Sequence, residues 1–323
     1  MRKTLNKEKL GPSFLKTRRG KRMIFYALIC ALPVLQFCIF TLYINFNSIV
    51  MAFQTWAIKD GKLQVVAWNF DNFKVAWNVF TSKSYLTVNS LGLFASNLFI
   101  TIPLALIFSF YLCKECRFSG AFRVVLYMPN IISPMIFGLL FQRICNNVYP
   151  QIIYQMTGEI GLPLLTTSNG MDAYGLVLFF NIWVSFGVNV LMFTGAMSGI
   201  NVSIVESAQL DGANIVHEFM YITVPMIFST VSTFIILGMA GIFTNQMHLY
   251  TFFGWESSGL ETMGYYIYVN AQRSDYVDLH NGLLPSLLSY PQLAALGLLL
   301  TLIIAPITFI ARKLFDKYGP SEN

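Results

Sequence analysis

Glu206-Ser207-Ala208-Gln209-Leu210-Asp211-Gly212-Ala213 is the stretch on which the reading of this 323-residue chain turns. Long apolar runs flank it, yet the stretch itself holds two carboxylates, small residues and a glycine. Its pattern is helix, turn, helix. Ser203 and Glu206 have the S-x-x-E spacing of a capping box, which predicts a short helix starting at Ser203. Asp211-Gly212 predicts its end, with Gly212 in the left-handed conformation just past the last turn. A second helix is expected from Ala213 to about Tyr221, ahead of Pro225.

The rest of the chain is built for lipid. It is 55% hydrophobic and 11% charged, with a mean hydropathy of +0.59. Soluble domains carry about 25% charged residues. Charge-free runs cover 23–58, 84–113, 124–142, 173–205, 219–255 and 279–311. Each reaches or nears the ~20 residues that cross a bilayer. The expectation is an all-α integral membrane protein of about six spans, near 23–45, 86–112, 122–143, 173–197, 225–248 and 291–312. Residues 1–22 form a basic tail, 23–312 one membrane domain and 313–323 a second tail, with an external loop at about 46–85. The first apolar run is longer than the 7–15 residues of a signal h-region, so it is read as an uncleaved span. Pro33 is a candidate kink.

Basic residues set the orientation. Fifteen of the 21 Lys and Arg fall in the amino-terminal segment, in the loop around Lys114, Arg117 and Arg123, and in the tail at Arg312, Lys313 and Lys317. Both termini and the Gly212 loop are then cytoplasmic, in a multi-pass bacterial cell membrane protein. This distribution makes membrane lipid, not nucleic acid, the partner of the +6 net charge. Cys113 and Cys116 have C-x-x-C spacing, but no second pair or nearby His completes a zinc site.

The Glu206–Ala213 stretch resembles the EAA loop of bacterial ABC-importer permeases, E-A-A-x-x-x-G, with Asp-Gly-Ala typical of the sugar branch. Ser207 replaces the first alanine. Phe219, Ile222 and Pro225 fit the tail of that motif. The resemblance implies a type I ABC-importer permease-like bundle whose coupling loop, about 199–224, docks on a cytoplasmic ATPase through Glu206, Ser207, Ala208, Asp211, Gly212 and Ala213. It also implies a second homologous permease subunit, two ATPase subunits and an extracellular or periplasmic solute-binding protein. ATP and Mg would sit on the ATPase, and this chain would bind no cofactor or metal.

Other stretches are similar to the same family. Trp68-Asn69-Phe70-Asp71-Asn72-Phe73 matches the end of its first external loop. This implies a small outer cap; aromatic anchoring at the membrane interface is the alternative. Tyr127-Met128-Pro129-Asn130, with Pro134, resembles its L-P-x-x-x-x-P run. Asn181-Ile182-Trp183 resembles the segment that contributes to sugar sites, and Asn245-Gln246 resembles paired amides of the fifth helix. The family's Gly-Gly-Pro turn is altered here, at Gly254–Thr262.

The residues themselves also point to a path. Asn181, Ser185 and Asn189 recur at i, i+4 and i+8, with Trp183 beside them, so one helix face carries neutral amides and a hydroxyl. Such a face suits polyols, which donate and accept hydrogen bonds. It equally suits helix-to-helix contact in lipid. The candidate pathway is Asn181, Trp183, Ser185, Asn189, Asn245 and Gln246. No phosphate loop G-x-x-x-x-G-K-[ST] is present, so ATP hydrolysis belongs to another chain. The middles of the spans lack Asp, Glu, Lys and Arg, the usual equipment of ion-coupled pumps. The reading is a permease subunit of a binding-protein-dependent importer for a carbohydrate, an oligosaccharide. The alternatives are a non-sugar solute and an ATP-independent secondary transporter.

Overall fold

The computed structural model describes residues 18–59, 62–114, 118–159, 161–166, 171–255, 259–279 and 288–320. Most of the amino-terminal tail, Cys116 and most of the Gly254–Thr262 turn's centre lie outside them. The fold is 81% helical, an all-α membrane protein carrying one small hairpin.

Helix α1 (Arg18–Gln36) runs through Pro33 into a π-helical segment, Phe37–Tyr43, and on into α2 (Ile44–Ala52). Its side chains are exposed almost to the end, where Ala52 is buried. An apolar helix with no buried face is covered by lipid or by another chain. Strands β1 (Gln54–Lys59) and β2 (Lys62–Trp68) then pair antiparallel, with a bulge between Thr55 and Trp56. Helix α3 (Asp71–Ser82) packs on the last span. The buried Asn72 amide donates to the Ala52 oxygen at 2.9 Å and the Gln54 oxygen at 2.8 Å. It thereby satisfies carbonyls freed where α2 gives way to the strand. The expected cap at 46–85 is thus a hairpin and a helix, with Phe53, Phe70 and Phe73 clustered at its base.

Span two is α4 (Ser84–Ser96), a π segment Asn97–Thr101 and α5 (Ile102–Cys113). Span three is α6 (Ser119–Ile131), a break at Ile132-Ser133, α7 (Pro134–Arg143), a π segment Ile144–Val148 and α8 (Tyr149–Thr157). It runs well past the expected residue 143. Span four is α9 (Met171–Ser198). Then come α10 (Val202–Leu210), α11 (Ile215–Glu218), a π segment Phe219–Thr223, α12 (Val224–Met226) and α13 (Phe228–Ala240). A bend of 67° separates Ile215–Met226 from α13. The π segments at 97–101, 144–148 and 219–223 each end two residues before a proline: Pro103, Pro150 and Pro225. A proline has no N–H to give and its ring clashes with the carbonyl four residues back, so a widened turn relieves both problems.

The fifth span departs from the expected helix over 225–248. α13 stops at Ala240, and 241–248 is turns. A short α14 (Leu249–Phe253) follows, and helix resumes only at α15 (Met263–Leu279). Span six, α16 (Tyr290–Tyr318), gives the scale. At its far end Phe315 meets Phe228 edge-on at 5.9 Å, and Phe228 also fills the space beside Gly319. At its start the Leu288 N–H reaches Asn270 Oδ1 at 3.3 Å. α13 and α15 therefore lie along opposite halves of α16, and the fifth span is discontinuous. Residues 270–279, expected in an external loop, are helix. Proline-free, apolar 241–248 looks helical to a hydropathy reading; Gly238, Gly241 and the backbone-binding Asn245 decide otherwise.

Candidate functional site

Two features stand out, a cleft halfway along the bundle and the helix-turn-helix at 199–224.

The cleft, of about 420 Å³, lies between the π segment of span two, α9, α13 and the 241–248 turns. Ser90, Ser96, Asn97, Thr101, Asn181, Ser185, Thr244, Asn245 and His248 give it hydroxyls, amides and one imidazole. None of its described lining residues is charged. Its lower wall is irregular backbone, which a membrane protein tolerates where it borders a cavity.

That backbone is pinned from several sides. Met247 and His248 both adopt left-handed φ, +59° and +56°, a conformation unfavourable to side chains other than glycine. Asn245 Oδ1 accepts the Met247 N–H at 2.8 Å. The buried Asn181 amide donates to the Met247 oxygen at 2.9 Å and to the Val177 oxygen at 2.8 Å. Thr262 Oγ1 donates to the Asn245 oxygen at 2.8 Å. Gly264 presses on the same turn: a Cβ there would stand 2.6 Å from the Thr244 carbonyl carbon. His248 meets the Phe180 ring edge-on at 5.5 Å.

Of the six expected pathway residues, Asn181, Ser185 and Asn245 line the cleft. Asn189 is buried one turn or more beyond it. Trp183 packs instead against Phe137 and Phe179, and Gln246 is not in the lining. Both Asn181 amide hydrogens are engaged by main chain, which leaves its Oδ1 for a ligand. Ser185 Oγ donates back to the Asn181 oxygen at 2.6 Å. The sequence reading missed Ser90, Ser96, Asn97, Thr101, Thr244 and His248 as lining. Asn97 and Thr101, four apart, carried the same periodic signal as the Asn181 stripe.

At 199–224 the turn is a complete Schellman motif. Ala213 N–H reaches the Ala208 oxygen at 2.9 Å, Gly212 N–H reaches the Gln209 oxygen at 3.1 Å, and Gly212 has φ +87°. The start differs from expectation. Asn201 is the N-cap, its side chain accepting the Ser203 N–H at 3.1 Å, so the helix begins at Val202. The Ser203–Glu206 box is not formed, because Ser203 already lies within the first turn. The second helix is capped by Asn214, whose side chain accepts the His217 N–H at 2.8 Å, and α11 proper ends at Glu218. Glu206, Ser207, Asp211 and Gly212 are exposed, and Ala208 and Ala213 half-buried. Val202, Leu210, Ile215 and Val216 are exposed around them, and α10 buries no residue of its own.

Beneath this loop Glu218 is 3% exposed. Lys114, at the end of α5, places Nζ 2.5 Å from its Oε1, and Gln209 of α10 donates to its Oε2 at 3.3 Å.

No family model matches the chain. By sequence and fold it resembles the permease subunits of carbohydrate-uptake ABC importers. The arabinooligosaccharides transport system permease protein AraP of Bacillus subtilis is 24% identical over 319 residues, 95% of each chain. The AraP of Halalkalibacterium halodurans is 25% identical over 268 residues, 79% of this chain and 80% of its own. A crystal structure of a bacterial alginate ABC transporter, in complex with an alginate pentasaccharide-bound periplasmic protein, has a chain that superposes with a TM-score of 0.70 at 17% identity. It covers 92% of this chain and 96% of its own.

Proposed function

We propose that this chain is the transmembrane permease subunit of an ATP-driven, binding-protein-dependent importer of an oligosaccharide. The observation that carries the reading is the end-to-end likeness to arabino-oligosaccharide permeases, over 95% of both chains. The uncharged cleft of hydroxyls and amides agrees with a polyol cargo. The chain is a transport subunit, and ATP hydrolysis lies elsewhere.

In this reading both termini and the 199–224 loop face the cytoplasm. The surface around Glu206, Ser207, Ala208, Asp211, Gly212 and Ala213 seats α10 on an ATPase subunit, which holds ATP and Mg. A second, homologous permease supplies the facing half of the path and covers the bare side of α1 and α2. A solute-binding protein delivers sugar at the hairpin end. Asn181, Ser185 and Asn245 contribute to the path on this side, and the two permeases rock about the cleft as the ATPases close. Asn189, Trp183 and Gln246 support the walls of that path.

The test is reconstitution in proteoliposomes with the ATPase, the second permease and the binding protein from the same genome. ATP-dependent uptake of a labelled neutral oligosaccharide is expected. Uptake without ATP, or a chain that retains no ATPase subunit, would favour the secondary-transporter alternative.

A further inference from the structure

We propose that Glu218 is a positioning residue that passes movement of α10 to the second and fifth spans. The proposal rests on the docking role given to α10 above.

Three elements meet at this one carboxylate. One oxygen takes the Lys114 ammonium from the end of α5, and the other takes the Gln209 amide from the last turn of α10. The carboxylate itself stands at the entry to the fifth span. Burial makes the arrangement strict: a carboxylate removed from water needs its partners, and losing one leaves an uncompensated charge. Since α10 buries no residue of its own, the Gln209–Glu218 hydrogen bond is a specific tie between it and the bundle.

The neighbours fit a transmitting joint. Directly after Glu218 the chain takes the π segment 219–223, then the 67° bend at Ile227. Irregular helix of this kind yields more readily than regular helix. Phe219 packs on Phe110 of α5, ring centroids 5.1 Å apart, and Lys114 Nζ lies 5.6 Å from the same Phe110 ring. α5 and the start of the fifth span are therefore clamped together at this level. A displacement of α10 pulls on Glu218 and carries both. The upper parts of those two spans border the cleft.

The test uses the whole reconstituted complex with its binding protein. The variants are Glu218→Gln, Lys114→Met and the reversed pair Lys114→Glu with Glu218→Lys. Three quantities are read: ATPase subunits bound per complex, basal hydrolysis, and stimulation of hydrolysis by sugar-loaded binding protein. Each single change is expected to keep the subunits and basal rate while losing about tenfold of the stimulation. The reversed pair is expected to regain part of it. Full stimulation in both single variants overturns the proposal, as does a reversed pair no better than either single one. Loss of bound ATPase in the single variants also overturns it, since the cluster would then merely hold the loop in shape. If a variant fails to assemble, Gln209→Leu removes the α10 tie from an exposed position; wild-type stimulation in that variant overturns the proposal too. Should the wild-type complex itself bind no ATPase, the functional reading fails first.

Discussion

Asn181 donates an amide hydrogen to the main-chain oxygen of Met247, 2.9 Å away in space and 66 residues on in sequence. Between the two lies the whole of the 199–224 loop and the first half of the fifth span. The bond fastens the mid-membrane turn of the fifth span to the fourth.

Asn181→Ala should therefore act on the turn before it acts on any ligand. It strands the Met247 oxygen and releases a loop held in left-handed φ. An unsatisfied buried acceptor costs about 1–3 kcal/mol. A lower thermal midpoint of the purified complex is expected together with reduced transport. Ser185→Ala removes only a bond back to its own helix and should leave the midpoint near wild type. An unchanged midpoint in Asn181→Ala, with transport lost, would show that the residue acts on the sugar alone.

Gly264→Ala tests the same turn from the other side. Its Cβ would stand 2.6 Å from main-chain atoms of Thr244, and backbone cannot move aside cheaply. Overpacking of this kind costs roughly 1–3 kcal/mol. Lower stability and slower uptake are expected, measured by melting and by flux. Gly297→Ala, where an added Cβ meets nothing within 4 Å, is the matched control.

Gly212→Val separates strain in the chain from interference with a docked ATPase. Nothing in this chain lies within 4 Å of a Cβ at Gly212, so the internal cost comes from φ +87° alone. The spans should fold normally, while ATPase subunits bound per complex and substrate-stimulated hydrolysis fall sharply. Wild-type stoichiometry and coupling in this variant would rule out close docking at the turn.

Asn201→Ala should fray α10, because it removes the N-cap, worth about 1 kcal/mol. Faster amide hydrogen exchange over 202–210 is the expected readout. Glu206→Ala makes no such cap in this structure, so exchange should barely change. Any fall in coupling there reports on the docking surface. Comparable fraying in both variants would restore the Ser203–Glu206 box.

Orientation is checked by labelling. Gln64→Cys, in the hairpin, should react with an impermeant thiol reagent added outside cells, on a cysteine-free background. Ser207→Cys should not. Outside labelling of Ser207→Cys inverts the topology.

The spans were legible because lipid permits no charge, and Asp211-Gly212 was legible because a helix end writes its conformation locally. The Asn201 cap was harder: Asn201 and Ser203 are both competent caps, and S-x-x-E occurs equally one turn inside a helix. The broken fifth span was missed because hydropathy sees side chains, whereas the break is held by Asn181, Thr262 and Gly264 from distant parts of the chain. Glu218 looked like the boundary of an apolar run. That it is buried depends on Lys114, over a hundred residues earlier, which no local pattern discloses. Trp183, beside the stripe in sequence, points away because adjacent positions on a helix are about 100° apart.

The π segment 97–101 has a bearing on how such chains are compared and edited. A widened turn amounts to one residue inserted into a helix, and each residue turns the helix by about 100°. Pro103, two residues past it, bars a return to regular spacing. All of Ile102–Cys113 is thus presented in a register that an uninterrupted helix from Ser84 would not produce. An alignment that runs through this span without a gap would assign its outward and inward faces to the wrong residues. Deleting a single residue from 97–101 would swing Lys114 about a quarter-turn away from Glu218 without altering either one.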